Sequence, residues 1–224
     1  MSRRKWGPRA FFSCLLVVLA LTMLTTASAN AEGNWRIEGK NISESTTITG
    51  QGEGVYAFLV PSRNVELVFQ SFAMDEGFLL PNGTSYKVFL FTEGKVYTLS
   101  PALEEISSCK VGNLTFKVKG ELVLHNGITY ELLSPAEGTL LTTTTYSSGT
   151  GCPLPKTVPI PGSLVLEDPG GLQSEAVSHL VEQTPGGLFP GHGMLFGTHP
   201  MELDGSFSLE LTGEHKGQKW SGVG

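Results

Sequence analysis

Short runs of β-branched and aromatic residues, each stopped by Gly, Asn, Asp or Pro, recur along the chain from residue 35 to residue 211. That grammar predicts strands. The clearest stretch runs from residue 114 to 133. Leu114, Phe116 and Val118 alternate with Thr115, Lys117 and Lys119, which predicts a half-buried strand. Residues 121–124 lead into His125-Asn126-Gly127, and residues 128–132 lead out. Asn-Gly between two such runs predicts a type I′ hairpin, because both residues tolerate positive φ. Asn82-Gly83 and Asp204-Gly205 repeat the device. Further strands are predicted at 35–39, 53–60, 65–70, 78–80, 85–92, 139–146, 162–167, 194–196 and 206–211. Only residues 172–184 carry apolar positions at helical spacing (Leu172, Ala176, Val177, Leu180, Val181), and their Pro and Gly flanks leave strand or loop open. The pattern predicts an all-β fold, an antiparallel β-sandwich or barrel-like domain of about 10–13 strands.

The N-terminus follows a different grammar. Arg3, Arg4, Lys5 and Arg9 precede an apolar run over 10–24, and small residues fill 25–31. That order is the layout of a secretory signal peptide, expected over 1–31. Two Ala-x-Ala sites end at Ala29 and Ala31, and cleavage is expected after Ala31. The apolar run is shorter than the ~20 residues of a spanning helix. Arg3-Arg4 touches the twin-arginine pattern, but Gly7 and Pro8 break it. Cys14 lies at the front of the apolar run, away from the cleavage point where a lipid anchor would sit.

Cleavage changes the charge. Residues 32–224 keep 11 Lys+Arg against 21 Asp+Glu, a formal net charge of −10. An acidic product of this kind is not expected to bind nucleic acid or anionic lipid. It is expected as a single β-rich domain without an integral membrane segment, with a sub-boundary near residue 155 as one reading. Pro153, Pro155, Pro159 and Pro161 crowd that region, which reads equally as an edge segment held by Cys152. Two cysteines remain after cleavage, Cys109 and Cys152, and an exported chain meets conditions in which such a pair bridges. Residues 213–224 are polar and Gly-rich, which predicts fraying, with Trp220 as a candidate for docking.

The sequence carries no recognisable catalytic, cofactor-binding or metal set. His179, His192 and His199 lack zinc-ligand spacing, and Gly191, Gly193 and Pro200 predict turns around the last two. No complete Gly-x-Ser-x-Gly elbow occurs. Asp75-Glu76 and Glu167-Asp168 read as turns, and with Glu104-Glu105 they are sequence neighbours rather than carboxylates facing across a cleft. Asn41, Asn82 and Asn113 match the glycosylation acceptor. Trp35, Phe58, Phe69, Phe89, Phe91, Phe116 and Trp220 read as core, with a ligand pocket as the alternative.

Residues 35–40 (Trp-Arg-Ile-Glu-Gly-Lys), Val60-Pro61-Ser62, Cys152-Pro153-Leu154-Pro155 with Gly162-Ser163, and Leu211-Thr212-Gly213 with residues 217–220 carry a likeness. The chain resembles exported, uncharacterised β-rich proteins of high-GC Gram-positive bacteria. The resemblance implies export and a β-rich fold, and no activity. Members of that group often carry more cysteines than this chain. The expected function is a non-enzymatic binding or structural module at the cell surface or outside the cell, with an envelope or extracellular ligand and no cofactor. The alternatives are a carrier of a hydrophobic small ligand in an aromatic-lined barrel and, third, a secreted hydrolase.

Overall fold

The structure is a computed structural model, and it describes residues 33–52, 54–148, 151–167, 175–180 and 189–224. The expected signal peptide and its sites at Ala29 and Ala31 lie outside the described residues. The described residues form eighteen strands: β1 (Asn34–Ile37), β2 (Lys40–Asn41), β3 (Thr46–Gly52), β4 (Tyr56–Val60), β5 (Val65–Leu79), β6 (Thr84–Thr98), β7 (Glu104–Glu105), β8 (Cys109–Val111), β9 (Leu114–His125), β10 (Ile128–Pro135), β11 (Leu140–Ser148), β12 (Thr157–Pro161), β13 (Leu164–Glu167), β14 (Glu175–Leu180), β15 (Met194–Phe196), β16 (His199–Asp204), β17 (Ser206–Leu211) and β18 (Trp220–Val223). The all-β antiparallel architecture is as the sequence predicts. The strand number exceeds the expected 10–13 because several strands offer no apolar alternation to read. In β3, for example, Thr46, Ile48 and Gly50 take the buried positions. Gly50 has no room for a side chain, since a Cβ there would lie 2.7 Å from Leu209 Cδ2.

Eight strands close a ring. β5 pairs with β6, and the ladder continues through β9, β10, β13, β14, β17 and β3 back to β5, antiparallel throughout. A closed ring is a barrel and leaves no free edge within it. Of the two architectures expected, this part of the chain is the barrel. β14 occupies part of the stretch with helical spacing, so 175–180 is a strand.

β5 and β6, fifteen residues each, are longer than the ring needs. One edge of β5 meets β4 over Val65–Phe69 and β3 over Phe72–Leu79. The sheet therefore forks, and β4 leads on to β16 and β15. A separate sheet, in the order β12-β11-β8, packs on the fork, and one buried hydrophobic cluster runs through fork and barrel. Asp75-Glu76, read above as a turn, lies inside β5. A bulge between Met74 and Glu76 shifts the register there and breaks the alternation.

The inward face is aromatic. Phe72 stacks on Phe207 with centroids 4.5 Å apart, Phe89 packs on both rings at 5.5 Å, and Phe91 packs on Phe72 at 5.2 Å. All seven aromatic residues assigned to the core by sequence are buried. Amid these rings lies an ion pair. Lys87 Nζ donates to Glu131 Oε2, Ser85 Oγ donates to Oε1, and all three residues are buried. Gly120, on β9 beside β10, makes the space, since a Cβ there would collide with Glu131 Oε1 and Ser85 Oγ. Trp35 lies over the ammonium, 5.5 Å from ring centroid to Nζ.

β1 and β18 close one end of the barrel. Trp35 packs on Trp220 at 5.9 Å and donates from Nε1 to Thr84 O at 2.7 Å. The C-terminal residues expected to fray instead pair as β18 with β1, because Trp220 is buried and anchors them.

Two buried phenols give the fold an alkaline limit. Burial pushes Tyr56 and Tyr146 up to about 12. Tyr56 also donates to Ser206 O at 2.6 Å, which requires its proton. The unfolded phenols release their protons near pH ~10 while the folded ones hold them, so stability falls from there to about pH 12. Urea midpoints should drop across that window, and less steeply in Tyr56→Phe and Tyr146→Phe. A flat profile would show that neither phenol governs the limit.

Candidate ligand-binding site

The expected disulfide forms: Cys109 bridges Cys152, with Cα atoms 4.9 Å apart. It ties β8 to the start of the proline-rich segment, which runs on as β12. Pro159 and Pro161 have no N–H to donate, which suits a strand at the edge of its sheet. β12 is held from both sides nonetheless. Tyr146 N donates to Lys156 O at 2.8 Å and Thr144 Oγ1 to Val158 O at 3.1 Å. On the other flank Gly197 N donates to Pro159 O at 2.9 Å.

Gly197 belongs to the turn between β15 and β16, where φ of +66° suits glycine. Beside that turn a 3₁₀ helix, Pro61–Arg63, begins on proline and ends where Asn64 takes a left-handed conformation. Asn64 is clamped: Nδ2 donates to Ser100 O, and Ser100 N donates to Asn64 Oδ1, each at 2.9 Å. These three elements enclose a cleft of about 270 Å³. Val158 and Phe196 form its buried apolar floor, and Arg63, Thr157, Thr198 and His199 stand around it. His199 Nδ1 lies 3.1 Å from Ser62 Oγ, which orients the ring.

Arg63 sets this cleft apart. Among the described residues the arginines are Arg36, whose Nε donates to Asn41 Oδ1, and Arg63, which has no hydrogen-bond or ion-pair partner. The nearby sheet is acidic: burial and Asp204 push the Glu66 carboxyl above its ordinary range. A groove of about 320 Å³ beside β2 has part of its polar lining engaged in hydrogen bonds. There Lys219 N donates to Glu38 Oε1, and His215 Nδ1 meets Gln218 Oε1. A wider depression of about 600 Å³ on the barrel wall is lined mainly by small and polar residues such as Thr49, Gln51 and Ser208. The Arg63 cleft joins a buried apolar floor to an arginine without a partner among the described residues.

The histidines do not converge. His199 is in the cleft, and the backbone of His179 lies on β14 opposite Ser206. His192 Nδ1 is 3.2 Å from Ser163 Oγ, but that hydroxyl accepts from Gly193 N, and Ser163 N donates to Gly193 O. Ser163, just before β13, therefore fastens the chain at Gly193, just before β15, beside the Gly162–Met194 bridge, a structural task. Among the described residues no group of three His, Cys, Asp or Glu is placed to hold a metal, and no helix is long and apolar enough to cross a membrane. Asn41, Asn82 and Asn113 are all exposed. The sequence reading missed Arg63. The sequence marks only an arginine two residues after the proline that opens a short turn between two strands. No family model, curated protein or solved structure matches the chain.

Proposed function

We propose that the chain is an exported, non-catalytic binding module whose ligand surface is the Arg63 cleft. The observation that carries this reading is that the Cys109–Cys152 bridge and the β12 wall of the cleft are one continuous segment. A disulfide holds in an oxidising compartment, which agrees with the signal-like N-terminus and with the resemblance to exported β-rich proteins. Rigid walls lower the ordering cost of binding. The carrier alternative needs a hollow interior, whereas the described inward positions hold rings in contact.

Expression with the native leader tests the compartment. The expected product lies outside the cytoplasm, starts at Glu32, and resists alkylation until reduced. A full-length cytoplasmic protein with two free thiols besides Cys14 would overturn the proposal. The binding half is tested by reduction: ligand affinity at the cleft should fall when the bridge is opened, while the barrel ring persists by circular dichroism.

A further inference from the structure

The chemistry of the Arg63 cleft narrows its ligand, an inference that rests on the binding function just proposed. The guanidinium is planar and offers donors in a fork that matches a carboxylate, two bonds to two oxygens. Its base is fixed by the Asn64–Ser100 clamp, so the fork is presented from a rigid turn. Among the described residues no carboxylate is paired with Arg63. His199, with Nδ1 turned to Ser62, has Nε2 left to donate or accept. Thr157 and Thr198 add hydroxyls at the rim, and Phe196 and Val158 make the floor apolar.

Size sets the other limit. At about 270 Å³ and open on one side, the cleft is at or just below the small end of ligand pockets, about 300 Å³. That suits one ring with a short acidic arm.

We propose that the cleft binds a small organic carboxylate with a flat apolar body, the carboxylate paired with Arg63 and the body laid on Phe196 and Val158. A ligand of this size binds weakly in absolute terms, so discrimination between close analogues is the property to measure.

The test is a titration of the oxidised protein followed by amide NMR, with phenylacetate, its neutral isostere phenylacetamide, and acetate. Phenylacetate should shift the amides of Thr157, Val158, Gly197, Thr198 and His199 to saturation. Phenylacetamide and acetate should each bind at least about tenfold more weakly, since one lacks the charge and the other the body. Arg63→Gln should bring phenylacetate down to the level of the amide, and Arg63→Lys should recover part of the difference. If phenylacetamide binds as well as phenylacetate, the carboxylate inference fails while the cleft stands as a binding surface. If none of the three shifts these amides, the inference and the proposed binding function fail together.

Discussion

Replacing Lys87 with Met is expected to cost about 3–5 kcal/mol, because it strands the Glu131 carboxylate in the barrel interior without its cation. A domain of this kind has ~5–15 kcal/mol in all, so this single change removes a large share. Glu131→Leu should cost a similar amount by stranding the ammonium under Trp35. The double variant Lys87→Met/Glu131→Leu is the informative one. Buried pairs gain little net energy over apolar residues of similar volume, so the double variant should recover most of the loss or exceed the parent. Urea midpoints of the four proteins measure this directly. If the double variant is as unstable as the sum of the singles, Lys87 and Glu131 are uncoupled and the stranded-charge account fails. Gly120→Ala should reproduce part of the loss by pushing Glu131 out of place.

Removing the bridge is the second large effect. Cys109 and Cys152 are 43 residues apart in sequence. On the chain-entropy relation, opening a loop of that length costs about 4 kcal/mol, lost through the unfolded state rather than through native contacts. For a domain of this size the expected fall in Tm is about 8–16 °C. Cys109→Ala/Cys152→Ala, measured by calorimetry, should show that fall with the ring strands intact. Cys109 is buried, so its alanine leaves a small void as well, and Cys109→Val separates packing from linkage. A double variant with unchanged Tm would mean that β12 is held by its hydrogen bonds alone.

Much of the fold is legible in the alternation of residues. The Asn126-Gly127 hairpin forms as read, with φ of +52° and +80° at the two positions. Asp204-Gly205 does not form one. It carries the chain from the fork strand β16 to the ring strand β17, and glycine is needed there because a Cβ would lie 2.6 Å from the Tyr56 ring. A turn and a close approach ask for the same residue, so the dipeptide alone cannot tell them apart. β5 was read as two short strands because its buried parity changes twice, from Leu67 and Phe69 to Phe72 and Met74 where its partner changes from β4 to β3, and back to Leu79 across the bulge between Met74 and Glu76. The interior ion pair was within reach: Lys87 shares the parity of Phe89 and Phe91, and Glu131 that of Leu133. The cleft was not, because Arg63, Val158 and Phe196 are far apart in sequence and only the packing of β12 against the β15–β16 turn joins them.

The ring has a consequence for how the chain acquires its shape. β3 closes against β17, Thr47 Oγ1 lies 2.6 Å from Thr212 Oγ1 across 165 positions, and β1 pairs with β18 over a still longer separation. Contacts of that reach form slowly, after the chain has paid for closing its largest loops. No nascent fragment that lacks residues 206–223 can seal the barrel or seat Trp220 on Trp35. A chain released from its N-terminus would thus leave the barrel unsealed until its last strand arrived.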